Sequence, residues 1–130
     1  GAYVLVEGSK ETPDVILMAT GSELQLAVRA AATLENEGIA ARVVSMPCME
    51  WFQEQDADYI ESVLPSAVTA RVSVEAGIAM PWHLWTGTTG RNVSLEHFGA
   101  SAPFETLFSE FGITDDAVVT AARDSIAASK

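Results

Sequence analysis

The sequence predicts a three-layer α/β/α domain built on a mixed, mostly parallel five-stranded sheet with one antiparallel strand. A chain of 130 residues, 48% hydrophobic and 19% charged, can bury the core of a single globular domain spanning residues 1–130. Strand-like segments alternate with segments of helical periodicity, which is typical of a parallel sheet covered by helices on both faces. Only about seven residues join the first two strands, too few for a helical crossover. The first strand is therefore expected at an antiparallel edge or in a different position in the sheet.

Five segments rich in β-branched and apolar residues are expected to form the strands. VILMA at residues 15–19 is apolar on both faces, as in a buried parallel strand. Glycine, proline or polar turns border the segments and mark where the strands end. The five predicted strands lie at residues 3–8, 15–19, 41–46, 69–76 and 91–98.

Two helices are expected in the first half of the chain. The first follows TGSE at residues 20–23 and runs to about Glu37, with Gly38 in the C′ position. The second lies within residues 47–65 and runs to about Val63, where a proline stops it. The apolar face of the first helix is predicted from residues at helical spacing, namely Leu24, Ala27, Val28, Ala31 and Leu34.

The second half of the chain is expected to be helical in two further places. Residues 77–90, rich in aromatic residues and glycine, are expected to form an irregular or short helical crossover. The first is a helix that carries a stripe of large apolar residues and ends at Gly112. The second is the last helix, which Thr114 can cap and whose dipole Asp115 and Asp116 complement in the first turn. The apolar stripe consists of Phe104, Leu107, Phe108 and Phe111.

Charge and cysteine content exclude several function classes. Seven basic and eighteen acidic residues give a formal net charge of −11, which disfavours nonspecific binding to nucleic acid or to an anionic membrane. No apolar run approaches the ~20 residues of a membrane span, and no signal-like amino terminus is present. A single cysteine, Cys48, excludes an intramolecular disulfide and fits a cytoplasmic protein. The strand-like start without an initiator Met favours a fragment of a longer chain over a processed one.

The loops that follow the parallel strands are expected to meet at the carboxyl edge of the sheet, where open α/β folds place their ligands. Exposed N–H groups in two of these loops could bind an anion such as phosphate. The alternative is a capping box, formed by Thr20 with Glu23 or by Ser22 with Gln25. The hypothetical anion-binding edge comprises Gly21, Ser22, Glu23, Gly99, Ala100 and Ser101.

Ser101 lies in a turn that is one residue short of the G-x-S-x-G nucleophile motif. The second glycine is replaced, and both histidines, His83 and His97, precede the serine, whereas the hydrolase order requires a histidine after it. The favoured interpretation is that Ser101 caps a helix with Pro103 in the first turn. No residue of the chain is therefore predicted to be catalytic.

No metal or nucleotide motif is present. His83 and His97 could form a metal site with Glu75 or Glu96. No H-E-x-x-H or comparable spacing exists, however, so structural or solvent-facing histidines are favoured. Neither a P-loop nor a dinucleotide fingerprint occurs. Cys48 follows a proline near a strand end and is expected to be an inert buried thiol, although a helix N-terminus could lower the pKa of such a thiol.

Four aromatic residues fall in predicted loops and helix starts. They could fill the core, or they could form a docking surface, where aromatic residues are favoured anchors. Spacing does not decide between these alternatives. The four are Trp51, Phe52, Trp82 and Trp85.

Four segments in order along the chain resemble the C-terminal domain of transketolase. VEAG followed closely by FGASAP is the most specific feature, and the resemblance covers nearly the whole chain. The segments are PDVILMATGSELQLAV (13–28), ARVVSMPCMEWFQEQD (41–56), VLPSAVTARVSVEAG (63–77) and HFGASAPFETLFSEFGIT (97–114).

The resemblance implies a part of a homodimeric, thiamine-diphosphate-dependent enzyme of the pentose phosphate pathway. That enzyme transfers two-carbon ketol units between sugar phosphates and uses a divalent metal such as Mg²⁺ or Ca²⁺. Its cofactor and substrate sites lie in the N-terminal and middle domains, so no catalytic, cofactor-binding or metal-binding residue is expected in this chain. The resemblance further implies that this domain supports domain packing and dimerisation and is inactive alone; the alternative is a regulatory anion- or nucleotide-binding module at the carboxyl edge.

Overall fold

The computed structural model describes residues 2–75, 82–94 and 113–129. The strands are β1 (Tyr3–Val6), β2 (Val15–Ala19), β3 (Ala41–Ser45), β4 (Arg71–Glu75) and β5 (Arg91–Ser94). The helices are α1 (Leu24–Asn36), α2 (Met49–Gln53), α3 (Ala57–Val63), α4 (His83–Thr86) and α5 (Asp115–Ala128), and a 3-10 turn spans Gly21–Glu23. The predicted apolar stripe at residues 104–111 and the end of the predicted fifth strand at residues 95–98 lie outside the described residues.

The five strands form one sheet in the order β1-β3-β2-β4-β5. Strand β1 pairs with β3 in antiparallel orientation, with Tyr3 opposite Ser45, and the remaining pairs are parallel. The short connection between β1 and β2 explains this arrangement, because it cannot cross over a sheet face and instead places β1 at the edge beyond β3. The prediction of a mixed sheet with one antiparallel strand is confirmed.

Two hydrophobic clusters lie on opposite faces of the sheet. Alternate residues of β2 point to opposite faces, so Val15 and Leu17 pack under α1 and α5, whereas Ile16 and Met18 pack under α2, α3 and α4. All four side chains are fully buried. Burial on both faces is the reason that VILMA contains no polar residue, and the three-layer prediction is confirmed.

The apolar face of α1 is rotated from the predicted one. Leu26 and Ala30 are buried, whereas Val28, which was predicted to face the core, is 38% exposed. The physical reason is that α5 packs beside α1 in the same cluster and buries a second side of that helix. The predicted helix end is confirmed, since α1 ends at Asn36 and Gly38 follows with φ of 82°.

The single helix predicted for residues 47–65 is wrong, because α2 and α3 are separate helices. Asp56 stands between them in an extended conformation, with φ of −58° and ψ of 146°, and its carbonyl accepts the Ile60 N–H at 3.0 Å. The break lets Phe52 from α2 and Val63 from α3 both enter the second cluster. Aspartate suits this position because it is unfavourable in the interior of a helix and favourable at the N-cap.

The helix starts differ in how they are capped. The Thr114 hydroxyl accepts the Ala117 N–H at 3.1 Å at the start of α5, which confirms the predicted cap. The predicted capping boxes near residue 20 are wrong, since Thr20 makes no side-chain cap hydrogen bond and Glu23, not Ser22, is the N-cap of α1.

Candidate functional site

The ends of β2, β3 and β4 meet at the carboxyl edge, as predicted from the parallel topology. A cavity of about 210 Å³ lies between them, lined by Thr20, residues 46–50, Glu75 and Trp82. The loop carrying FGASAP, which was expected at the same edge, lies outside the described residues.

The carboxyl-edge cavity has an acidic lining. The Glu75 carboxylate accepts a hydrogen bond from the indole N–H of Trp82, and the Cys48 thiol donates to Glu50 Oε2 at 3.4 Å. No lysine, arginine or histidine is among the described lining residues. Two carboxylates without a cation give a negative potential, which favours a cation or a neutral donor over a phosphate.

The described half of the predicted anion-binding edge is the 3-10 turn. Gly21 and Ser22 are exposed, whereas Glu23 is 8% exposed and its carboxylate accepts the Ser22 hydroxyl at 3.0 Å. A carboxylate beside these backbone amides opposes the approach of an anion. The other half, Gly99, Ala100 and Ser101, lies outside the described residues, so the anion-binding edge stays a prediction.

Three of the four aromatic residues fill the core. Phe52 and Trp82 are fully buried and Trp85 is 8% exposed, with the rings of Phe52 and Trp85 5.0 Å apart. Trp51 is different, since 65% of it is exposed, and Leu84 on α4 is 63% exposed. The docking-surface interpretation therefore applies to Trp51 alone among the four.

The remaining candidate residues do not form a chemical constellation in the described part of the chain. His83 is exposed on α4, and His97 and Glu96 lie outside the described residues, as does the candidate nucleophile Ser101. Cys48 follows the end of β3, as expected, but it is partly exposed at the cavity, which corrects the expectation of a buried thiol.

Sequence reasoning missed the arginines at the amino edge of the sheet. Arg42 in β3 is 5% exposed, and one guanidinium nitrogen donates to the carbonyls of Ser62 at 3.1 Å and Val63 at 3.2 Å. Its other terminal nitrogen donates to the Glu11 carbonyl at 3.2 Å. Arg42 thereby holds α3 and the β1–β2 connection against β3. The signal in the sequence was a charge inside an otherwise buried strand.

Arg71, the first residue of β4, makes a second set of contacts with loop carbonyls. Its guanidinium donates to Val68 at 2.9 Å, Trp85 at 2.9 Å and Pro65 at 3.0 Å. Burial lowers the pKa of Arg71, and the charge of Glu61 acts in the opposite direction. The guanidinium remains charged, because arginine does not lose its proton in proteins.

Two carboxylates bind backbone N–H groups at the same edge. Glu35 Oε1 accepts from the Ser9 N–H at 3.1 Å and from the Ala41 N–H at 2.9 Å, and hydrogen bonding by the Ser9 hydroxyl and by these N–H groups lowers the pKa of Glu35. Asp14 accepts the Ala40 N–H at 2.8 Å, which lowers the pKa of Asp14 more than burial raises it. Both carboxylates fix the start of β3 against the β1–β2 connection.

Comparison with known families identifies the chain. A family model described as "Transketolase-like TK C-terminal domain" matches residues 1–114. The chain belongs to this family of transketolase C-terminal domains. The fold agrees: a transketolase structure from Leishmania mexicana superposes with a TM-score of 0.88 at 40% identity, covering 98% of this chain and 18% of that one.

Relatives of this transketolase C-terminal domain are much longer proteins. A transketolase from Mycobacterium leprae is 56% identical over 125 residues, which is 94% of this chain and 18% of the relative. Transketolase 1 of Escherichia coli is 54% identical over 124 residues, covering 95% of this chain and 19% of the relative. A structure titled "Split gene transketolase, inactive beta4 tetramer" matches with a TM-score of 0.71 at 27% identity, and the chain covers 43% of it. The chain spans about a fifth of the curated relatives it matches.

The described residues of this transketolase C-terminal domain do not fit the cofactors that the family name implies for the complete enzymes. Those cofactors are thiamine diphosphate and a divalent metal. In residues 2–75, 82–94 and 113–129, no group of three or more His, Cys, Asp or Glu could hold a metal ion. A diphosphate would meet the carboxylates of Glu50 and Glu75 at the carboxyl-edge cavity. None of the described helices is both long and apolar enough to cross a membrane.

Proposed function

We propose that this chain is the C-terminal domain of a transketolase, the thiamine-diphosphate-dependent transferase that moves two-carbon ketol units between sugar phosphates. The observation that carries the proposal is the match along 94% of this chain to a transketolase of which it spans 18%. The parent would be a cytoplasmic homodimer of the pentose phosphate pathway. In it, this domain supports domain packing and dimerisation and contributes no catalytic residue.

The exposed apolar residues of the α2–α4 layer support the packing role. Trp51 and Leu84 are 65% and 63% exposed, and the buried rings of Phe52 and Trp85 place their helices side by side. An exposed tryptophan and an exposed leucine on neighbouring helices are suited to a protein interface, where aromatic anchors contribute much of the binding energy. The partner surface would belong to the middle or N-terminal domain, or to the second subunit.

The acidic carboxyl-edge cavity supports the absence of a cofactor role. Thiamine diphosphate and its metal would be bound by the preceding domains, where positive charge can compensate the diphosphate. The substrates, as sugar phosphates, are anions too, and Glu50 and Glu75 would repel them from this edge.

A domain exchange in Escherichia coli transketolase 1 tests the proposal. The 124-residue segment that matches this chain is replaced by the chain itself, and ketol transfer and the sedimentation coefficient are measured beside a deletion of the segment. The exchanged enzyme is expected to be an active dimer, and the deletion is expected to lose dimer stability. A deletion that stays dimeric and fully active would contradict the packing role.

Two variants of the exchanged enzyme locate the contact. Trp51→Ser with Leu84→Ser is expected to weaken dimerisation or interdomain packing, because it removes both exposed apolar side chains. The matched control is Tyr3→Ser with Leu5→Ser, which removes two apolar residues that are 48% and 43% exposed on β1. An equal loss in both double variants would show that the α2–α4 layer is not the specific contact.

The regulatory alternative remains the anion- or nucleotide-binding module at Gly21, Ser22, Glu23, Gly99, Ala100 and Ser101. The buried Glu23 carboxylate next to the described amides does not favour it. Amide NMR shifts during titration with phosphate, sulfate and nucleotides test it directly. Flat shifts at these residues at millimolar ligand would remove it.

A further inference from the structure

A cavity lies at the amino edge of the sheet, opposite to the edge where open α/β folds place ligands. It has a volume of about 290 Å³ and is lined by Ser66, Thr69, Arg71 and residues 86–89. Since a water molecule occupies roughly 30 Å³ of the liquid, the space is large enough for a tetrahedral oxyanion and several waters. Arg71 is the one charged residue among the lining residues.

Arg71 differs from the other buried or paired cations of the described chain. Lys10, Arg42 and Arg123 each form an ion pair with a carboxylate. Arg71 is half-buried and forms no such pair within the described residues. In a chain with a net charge of −11, Arg71 thus lies beside the cavity with no carboxylate in ion-pair contact among the described residues, and the charge of Glu61 acts on it from a greater distance.

The Arg71 guanidinium retains hydrogen-bonding capacity. It has five N–H groups, and four hydrogen bonds to carbonyls are present in the described residues, so at least one N–H is left for a ligand. The four carbonyls belong to Leu64, Pro65, Val68 and Trp85. Because these carbonyls come from the α3–β4 connection and from α4, the guanidinium is held in a fixed orientation before any ligand arrives.

Hydroxyl groups supply further donors around the guanidinium. Thr69 and Thr88 line the cavity, and their hydroxyls donate no hydrogen bond within the described part of the chain. The Ser66 hydroxyl is already directed at Glu61 Oε2, 3.2 Å away, and the Ser66 N–H donates to the same oxygen at 2.8 Å. Glu61 is therefore the carboxylate that an incoming anion would meet.

We propose that the amino-edge cavity is a binding site for an oxyanion of the phosphate class, with Arg71, Thr69 and Thr88 as its donors. Guanidinium groups and hydroxyls are the usual partners of phosphate oxygens, and a charge-assisted bond from a preoriented arginine is stronger than one between neutral groups. The ligand is inorganic phosphate or the phosphate group of a small ester, which share this chemistry. The site is separate from the carboxyl edge and independent of the transketolase assignment.

Titration of the full 130-residue chain with inorganic phosphate, followed by amide and arginine Nε–H NMR signals, tests the proposal. Sodium chloride at equal ionic strength is the control for unspecific charge effects. Saturating shifts at Thr69, Arg71 and Thr88 with phosphate are expected, and a second titration with a sugar monophosphate distinguishes the free ion from an ester. Shifts that are the same in chloride, or that occur only at residues 21–23, would overturn it.

Variants that leave the Arg71 contacts intact make the test independent of folding. Thr69→Val with Thr88→Val is expected to weaken phosphate binding about tenfold, since two hydrogen bonds are lost. Glu61→Gln keeps an acceptor for Ser66 and is expected to tighten binding about threefold, because a neighbouring negative charge is removed. Arg29→Gln removes an exposed cation of α1 that does not line the cavity, and should change the Kd less than about twofold. An unchanged Kd in both of the first two variants would overturn the assignment.

Discussion

The amino edge of the sheet has several side-chain hydrogen bonds between segments far apart in the sequence, whereas the described hydrogen bonds of the carboxyl-edge cavity and of the 3-10 turn are local. Beside the end of β3, the Tyr59 hydroxyl donates to the Ala2 carbonyl at 2.7 Å and joins segments 57 positions apart. At the amino edge, the paired residues are separated by 20 to 54 positions in three representative hydrogen bonds. At the carboxyl edge, the corresponding separations are one, two and seven positions. The amino-edge pairs are Arg42–Ser62, Ser9–Glu35 and Arg71–Ser125; the carboxyl-edge pairs are Ser22–Glu23, Cys48–Glu50 and Glu75–Trp82.

The two edges therefore contribute differently to the stability of the fold. Hydrogen bonds between distant segments fix loops against each other and add to the stability of the fold, because they connect elements that would otherwise separate. Local hydrogen bonds fix a turn but not the position of one loop relative to another. Hydrogen bonds of this kind therefore stabilise the domain mainly at its amino edge.

The largest effect is expected at Gly90 on the amino edge. A Cβ at this position would lie 2.2 Å from the Thr86 carbonyl oxygen, so Gly90→Ala requires a backbone shift and should cost about 3 kcal/mol. Urea unfolding of both proteins measures the difference. Gly38→Ala after α1 is the control: with φ of 82° and open space around the Cβ, it should cost about 1 kcal/mol. Equal costs would show that the close approach at Gly90 is not needed.

A second large effect is expected at Arg42. Arg42→Met keeps the apolar stem but leaves the carbonyls of Glu11, Ser62 and Val63 without their donor, so the free energy of unfolding should fall by about 2 kcal/mol. Arg29→Met on the exposed side of α1 is the control and should change it by less than about 0.5 kcal/mol. If the two variants are equally stable, the amino-edge arginines do not hold the fold.

The comparison also explains which parts of the structure were accessible from the sequence. The strand at residues 15–19 was predicted correctly because burial on both faces leaves a local signature, and the antiparallel β1 followed from a connection length. The break at Asp56 was not predicted, since it depends on how Phe52 and Val63 fit one cluster. Tertiary packing, not local preference, decides such a point.

The cavities at the two edges also differ in how far the sequence predicts them. Convergence of the loops at the carboxyl edge was predicted from the parallel topology, which requires no side-chain detail. The amino-edge cavity was not predicted, because Arg71 acquires its orientation from carbonyls of the α3–β4 connection and of α4, whose positions the sequence does not mark. The sequence also does not show on which side of residues 20–23 the Glu23 carboxylate will lie. Its position beside Ser22 was therefore not predicted.

Acid should weaken the amino edge through Glu35 and Asp14. Hydrogen bonds lower the pKa of both carboxyl groups below the usual values of about 4.3 and 3.9. The stabilisation is therefore present above those usual values and is lost as the pH falls through the lowered pKa of each group. Glu35→Gln keeps an acceptor but cannot titrate, so its stability should fall less than that of the wild type between pH 6 and about pH 3.

Chemical denaturation at several pH values measures this slope. Glu54→Gln, at an exposed position after α2, is the matched control and should follow the wild type more closely than Glu35→Gln does. A Glu35→Gln slope identical to that of the wild type would mean that the hydrogen bonds from Ser9 and Ala41 do not contribute in solution.

The smallest effect is expected at Thr20 on the carboxyl edge. Thr20→Val removes a hydroxyl that makes no cap hydrogen bond, so the free energy of unfolding should change by less than about 0.5 kcal/mol. Thr114→Val removes the hydroxyl that accepts the Ala117 N–H and should cost about 1 kcal/mol. Because the two residues begin helical segments in similar extended conformations, thermal unfolding of this pair separates the hydrogen bond from the threonine itself. A loss at Thr20 as large as that at Thr114 would mean that the carboxyl edge contributes to stability in a way that its local hydrogen bonds do not account for.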